Sequence, residues 1–227
     1  MLQTAIDRLR LAKHFFSSAR KRGLARTARI ALYEFWFERK LGVSTGIVIP
    51  VDRLDYGDEA KSHAQPYFPS SYLFLTETLG AGQVDCRDQI LVDFGCGMGR
   101  VLLFASMLPF KRIIGVELSN ALCETARENL KQLYARQDKS APEWSVVNAD
   151  VRTFPIPHDA TIFYMANPFD ASVLEIVLDN IEKSLRQADR QCYLIYANPQ
   201  HETLLQRPGF RKLPSITADY AVYSIAR

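Results

Sequence analysis

Apolar positions along the chain change their period twice. Leu2, Ile6, Leu9 and Phe16, and then Ile30, Tyr33, Phe37 and Leu41, recur at three-to-four spacing. That period predicts two amphipathic helices, over residues 3–20 and 25–40, with Gly23 between them. From residue 42 to 66 the text "GVSTGIVIPVDRLDYGDEAKSHAQP" mixes Gly, Pro, Asp and Ser with one short β-branched run at 47–51. It predicts an irregular connector that could serve as a lid. In "PSSYLFLTETLG", Ser70 or Ser71 offers an N-cap and Gly80 a stop, which predicts a helix of about two and a half turns.

After that helix the rhythm becomes strand and helix in alternation. Strand-like runs fall at 90–94, 112–117, 144–148, 160–166 and 191–197, with helical text at 99–107, 120–136 and 171–187. The runs lack an in-and-out alternation, so their strands are covered on both faces, and a parallel sheet between helical layers follows. The ending "FRKLPSITADYAVYSIAR" holds two β-rich runs around 214–218 with no helix between them. An antiparallel pair should close the sheet.

Composition narrows the class. With 227 residues, 48% hydrophobic and 23% charged, the chain is large enough for one substantial core plus an extension. No apolar run approaches the roughly eighteen residues of a spanning helix, and Asp7, Arg8, Arg10 and Lys13 interrupt the N-terminus. Neither a membrane span nor a secretory signal is expected, and the reading places the chain in the cytoplasm. Cys86, Cys96, Cys123 and Cys192 are scattered without a C-x-x-C pair, which argues for reduced structural thiols and against a metal site. The net charge of +3 hides an asymmetry: Arg8, Arg10, Lys13, Arg20, Lys21, Arg22, Arg26, Arg29, Arg39 and Lys40 face only Asp7, Glu34 and Glu38 within residues 1–40. Such a segment suits a solvated helix face, an anionic partner, nucleic acid or the edge of a membrane, and Phe15, Phe16, Trp36 and Phe37 add apolar weight to the last.

The chemistry concentrates where strands end. "ILVDFGCGMGRVLLFA" runs from a buried strand through Gly95, Gly97 and Gly99 into a helix, and a ligand crevice lies beyond such strand ends. The three glycines allow a tight loop that a flat or extended ligand can approach. A dinucleotide loop has the spacing G-x-G-x-x-G, whereas here it is G-x-G-x-G with Asp93 two residues before. A carboxylate there suits a cationic ligand group. Glu117 ends the next strand, where it could accept both hydroxyls of a ribose, and Asp150 ends the third, where it could accept an adenine amino group with Val151 beside the ring.

Asp93-x-Gly95-x-Gly97-x-Gly99, then Glu117, Asp150 and Asn167-Pro168-Phe169, resembles the class I, Rossmann-like S-adenosylmethionine-dependent methyltransferases over residues 67–227. Within them, "GVSTG", "PYFPSS", "GVELS", "ANPF" and "YANP" resemble a bacterial group of unassigned substrate, with a distant similarity to the non-SET histone-lysine methyltransferases. The resemblance implies an α/β sheet of seven strands in the order 3-2-1-4-5-7-6 with the last strand antiparallel. It divides the chain into a basic extension and connector (1–66) and a methyltransferase domain (67–227). S-adenosylmethionine would lie along Asp93, Gly95, Cys96, Gly97 and Gly99, with Glu117 and Leu118 at the ribose, Asp150 and Val151 at the adenine, and Tyr67 or Tyr72 over the sulfonium. Cys96 stands where such loops usually carry Ser.

Methyl transfer needs mainly a near-attack arrangement, so a base is optional. Asn167-Pro168-Phe169 resembles the [Asn/Asp]-Pro-Pro-[Tyr/Phe] element of amine-methylating members, without its second proline, and so favours a nitrogen acceptor, on a protein or a small molecule. Tyr196-Ala197-Asn198-Pro199 repeats the pattern one strand over. His63, His158 and His201 are candidate bases, with His201 first because it follows the fifth strand. Two other readings compete: a nicotinamide oxidoreductase, opposed by Asp93 and the glycine spacing, and a non-catalytic S-adenosylmethionine-binding module whose basic helices hold RNA, lipid or a protein partner.

Overall fold

The computed structural model describes residues 20, 23–43, 45–80, 84–136, 142–215 and 217–226. Seven strands follow one another as β1 (Ile90–Phe94), β2 (Arg112–Glu117), β3 (Glu143–Asn148), β4 (Ile162–Met165), β5 (Cys192–Ala197), β6 (Phe210–Lys212) and β7 (Tyr220–Ile225). They form one sheet in the order β3-β2-β1-β4-β5-β7-β6. All run parallel except β7, which is antiparallel to both β5 and β6. Both the predicted order and the predicted antiparallel closure are found.

Helices cover both faces: α1 (Leu24–Leu41), α2 (Asp58–His63), α3 (Tyr72–Leu75, continued by a π-helical turn at Thr76–Gly80), α4 (Arg100–Ala105), α5 (Asn120–Tyr134) and α6 (Ala171–Gln187). Alternate residues of β1 serve the two layers. Leu91 packs with Leu102, Phe104 and Ala126 on one side, while Ile90, Val92 and Phe94 pack with Val177, Leu178 and Ile181 on the other. Ser71, Ser119 and Asp170 cap α3, α5 and α6, each side chain accepting from a backbone N–H of the first turn.

The basic extension is partly inside the core. The helix predicted over 3–20 lies outside the described residues, apart from Arg20, but α1 matches the second prediction and ends at Gly42 in the left-handed region. Phe37 and Leu41 join the same apolar cluster as Tyr72 and Phe104, and Phe37 stacks on Tyr72 with ring centroids 4.8 Å apart. Burying one such phenylalanine is worth about 2 kcal/mol. The connector is also more ordered than its composition suggests. A 3-10 turn at Val51–Arg53, helix α2 and a bridge between Ile49 and Tyr67 fold it across the strand ends.

One buried cation ties these parts together. Arg100, 3% exposed, begins α4 directly after the glycine loop. Its guanidinium donates to Glu34 and, at 2.9 Å, to Glu38 of α1; it also reaches the Thr45 hydroxyl at 2.8 Å and the Ser70 carbonyl at 3.2 Å. It lies over the Tyr72 ring, 4.5 Å from the centroid. Glu34 accepts, in addition, the Tyr72 backbone N–H at 2.9 Å. Removing one partner of such a pair leaves a charge without compensation. Arg100→Met is therefore expected to cost about 2–4 kcal/mol in urea denaturation, reduced from the fully buried case because both glutamates keep some water. Adding Glu34→Gln and Glu38→Gln should recover more than half, and an unchanged midpoint for Arg100→Met would mean that apolar contacts alone hold α1.

Candidate active site

The strand ends β1, β2 and β4, the loop after β3 and the connector enclose one pocket, lined among others by Tyr56, His63, Tyr67, Asp93, Glu117, Asp150, Pro168 and Phe169. Most of the predicted cofactor residues meet there: Gly95, Cys96, Leu118 and Val151 line it too. Gly97, Gly99 and Asn167 stand behind the lining.

The glycines serve packing as much as access. At Gly97 (φ 53°) a Cβ would fall 2.2 Å from the Tyr67 ring, and at Gly95 (φ 76°) 2.5 Å from Pro168. Any side chain at these points would therefore displace the tyrosine or the proline. Backbone N–H groups of Gly95 and Cys96 donate to the Val116 carbonyl at 2.8 and 3.1 Å, which fixes the loop on β2. Cys96 is buried, and its thiol is pushed up by burial and by the carboxylates of Asp93 and Glu117.

Two carboxylates lie buried at the base of the pocket. Asp93 is 2% exposed, and its Oδ2 has no hydrogen-bond partner among the described residues. Burial first, and the charge of Glu117 second, hold its pKa well above the ordinary carboxylate value. Glu117 is 3% exposed but fully engaged: Oε1 accepts from the Tyr56 hydroxyl and the Ser119 N–H, both at 2.9 Å, and Oε2 from the Gly97 N–H at 3.0 Å. Burial raises its pKa, and these donors oppose the rise. Asp55, beside Tyr56, accepts from the Ser119 hydroxyl, so the connector is fastened on this side.

Three expectations change. Asp150 does not offer a free carboxylate: both of its oxygens accept from Arg152 at 2.7 to 3.1 Å, and the Arg152 hydrogen bonds hold its pKa low against burial. Arg152 also reaches Glu59 of α2 at 2.6 Å. At the acceptor element, Asn167 Oδ1 accepts from the Tyr196 hydroxyl at 2.9 Å and the Pro168 carbonyl from the Gln65 N–H at 3.1 Å, so neither expected acceptor is idle. Asn167 itself is left-handed at φ 51°, and its side chain meets β5 without lining the pocket. Tyr72 faces the core under Arg100 and does not line the pocket, whereas Tyr67 does, its hydroxyl donating to the Thr45 carbonyl at 3.0 Å.

The histidine ranking is reversed as well. His201 precedes a 3-10 turn after β5, His158 sits in an exposed turn, and neither lines the pocket. His63, at the end of α2, does, with Nδ1 2.7 Å from Oδ2 of Asp170. Sequence reading missed Tyr56, Arg100, Arg152 and Asp170. A partial signal existed for Arg100, since Glu34 and Glu38 stand four residues apart in an otherwise basic helix and need a cation nearby.

Residues 91–190 match a family model described as a methyltransferase domain. The chain is 30% identical over 81 residues to ribosomal protein L11 methyltransferase of Alteromonas mediterranea, 32% of this chain and 28% of that one. The chain covers 22% to 48% of the lengths of the curated relatives it matches. Two solved structures share the fold. One is an S-adenosylmethionine-dependent methyltransferase from Aquifex aeolicus (TM-score 0.52, 14% identity, 66% of this chain and 89% of that one). The other is an RNA methyltransferase from Salinibacter ruber in complex with S-adenosylhomocysteine (TM-score 0.50, 19% identity, 70% and 92%). Strand order and the glycine loop between β1 and α4 give the Rossmann-like methyltransferase fold, and residues 91–190 within it match the methyltransferase domain family.

Proposed function

We propose that the protein transfers a methyl group from S-adenosylmethionine to a nucleophile at the Pro168–Phe169 edge of the pocket. The observation that carries this reading is the orphaned, buried Oδ2 of Asp93 beside the second buried carboxylate, Glu117. Two carboxylates held in low dielectric, one with an open acceptor, favour a cationic ligand with hydroxyl donors and disfavour a pyrophosphate. S-adenosylmethionine, when bound, supplies a methyl group on a positively charged sulfur that departs as a neutral thioether.

The residues present fit that molecule. Asp93 would accept from its amino group or from a water beside it. Glu117 would hold the ribose hydroxyls after giving up the Tyr56 hydroxyl, which occupies Oε1. Leu118 and Val151 would flank the adenine, whose amino group would meet the Asp150–Arg152 pair. Tyr67 presents an aromatic surface at the glycine loop, suited to a cation. The nitrogen preference drawn from Asn167 weakens, because its oxygen is held by Tyr196 and lies behind the pocket. The methyl acceptor is set instead by what Pro168, Phe169 and His63 admit.

A second surface has a separate role. The two glutamates of α1 are turned toward Arg100, which leaves Leu24, Leu32, Phe35 and Trp36 exposed on its other faces together with Arg29, Arg39 and Lys40. We propose that this cationic, apolar face rests on an anionic lipid surface. No helix among the described residues is long and apolar enough to cross a membrane.

Calorimetric titration should show micromolar binding of S-adenosylmethionine and S-adenosylhomocysteine and none of a nicotinamide dinucleotide; the opposite preference would end the reading. Tyr56→Phe frees Oε1 of Glu117 and should tighten both ligands about two- to tenfold, since one hydrogen bond to a charged group no longer competes. Asp93→Asn should weaken both at least about tenfold, the size of one charge-assisted hydrogen bond. The same variant should melt higher at pH 7. Because the folded-state pKa of Asp93 is raised, the folded chain keeps a proton that the unfolded chain loses, so wild-type stability falls as pH rises above the ordinary carboxylate value. The difference in melting temperature should therefore shrink toward pH 4 and below, about the unperturbed value. Co-sedimentation with vesicles containing phosphatidylserine should fall in Phe35→Ser/Trp36→Ser; equal sedimentation would dismiss the lipid proposal.

A further inference from the structure

We infer that His63 takes up the proton released by the methyl acceptor and that Asp170 is its positioning residue, an inference that rests on the methyl-transfer reading. The connector and the end of β4 are paired along their backbones here. Asp170 N–H donates to the His63 carbonyl at 2.9 Å, Gln65 N–H to the Pro168 carbonyl at 3.1 Å, and Ala64 bridges Phe169. This pairing holds the imidazole at the same pocket edge as Pro168 and Phe169 without any contribution from the ring itself. The ring contact is therefore an addition to the tether, not its cause.

The contact also sets which nitrogen is free. Nδ1 lies 2.7 Å from Oδ2 of Asp170, so in the neutral ring Nδ1–H donates and Nε2 carries the lone pair. No described residue hydrogen-bonds Nε2. Asp170 can do this because its two oxygens divide the work: Oδ1 caps α6 by accepting from the Ser172 and Val173 N–H groups, and Oδ2 faces the histidine. Burial raises the Asp170 carboxyl, but the bonds from His63, Ser172 and Val173 outweigh it and hold it at about 2, ionised throughout the working range. Other groups face the imidazole as well. The Ser172 hydroxyl is 3.5 Å from Nδ1, Glu59 lies one turn back on α2, and Arg152, paired with Glu59 and Asp150, stands at the same rim. Both partners of the pair are about one-third exposed (35% each), so the fold depends little on it.

The proton balance defines the acceptor. A lone pair of the acceptor atom forms the new bond to the methyl carbon, and the carbon–sulfur bond of the sulfonium donor breaks with its electrons going to sulfur. The hydrogen on the acceptor atom passes to Nε2. The site thus suits an O–H or N–H acceptor that enters with its proton, and it relieves a chain such as this one of needing an ionised nucleophile.

The test reads the imidazole, so no acceptor has to be known. NMR of the histidine ring protons, with the His63 signal assigned by its loss in His63→Gln, is followed against pH in two complexes, with S-adenosylhomocysteine and with S-adenosylmethionine. A ring facing the reacting methyl should bind its proton about three- to tenfold more weakly beside the sulfonium than beside the neutral thioether. Asp170→Asn keeps a good N-cap and should weaken proton binding in both complexes. Superimposable titrations in the two saturated complexes would overturn the inference while leaving the methyl-transfer reading intact. Failure of both ligands to bind would overturn that reading, and the inference with it.

Discussion

The site hangs on a single buried guanidinium. Arg100 leaves the glycine loop and at once meets Glu34 and Glu38 of α1, Thr45 of the connector, Ser70 just before α3, and the face of Tyr72. A planar cation with five donors can satisfy these four acceptors from three segments at once. Helix α1, the connector and the loop therefore have one mutual position. Desolvating the guanidinium would be costly without every partner in place, which makes the arrangement cooperative.

From that anchor the connector reaches both ends of the pocket. At the end of β2 Asp55 and Tyr56 bind Ser119 and Glu117; at the end of β4 residues 63–65 pair with 168–170. Between them Tyr67 covers Gly97. Beside these polar contacts Leu54 packs with Met98 and Leu122, with Ile49, Tyr56 and Tyr67 against them, and Val43 joins the main core.

The electrostatics of the pocket follow from the parallel sheet. Strand ends bring Asp93 and Glu117 side by side under a layer of apolar side chains, and burial raises both carboxyls. Neutralisation comes from different sources. Glu117 collects backbone and hydroxyl donors, whereas Asp93 keeps one oxygen without a partner. Asp150 has its own cation in Arg152. The pocket is thereby graded, from the Asp150–Arg152 ion pair, through the unsatisfied acid Asp93, to the His63–Asp170 pair beside Pro168 and Phe169.

Sequence alone determined the sheet, its order through a resemblance carried by a few residues, and the strand-end acids, because a doubly covered parallel strand and a glycine turn are local patterns with few other readings. Residues such as Asp93, Gly95 and Glu117 could be assigned to a pocket from position on the strand ends. The partners of those residues were not legible. Tyr56 and Glu117 are 61 residues apart, His63 and Asp170 are 107, and Arg100 and Glu34 are 66. Nothing in the spacing of a polar connector says which strand end it will cross, so His201 looked better placed than His63 and Asn167 looked free. Tertiary packing decided these points, because hydrogen bonds between remote segments exist only once the core has fixed how far apart those segments lie.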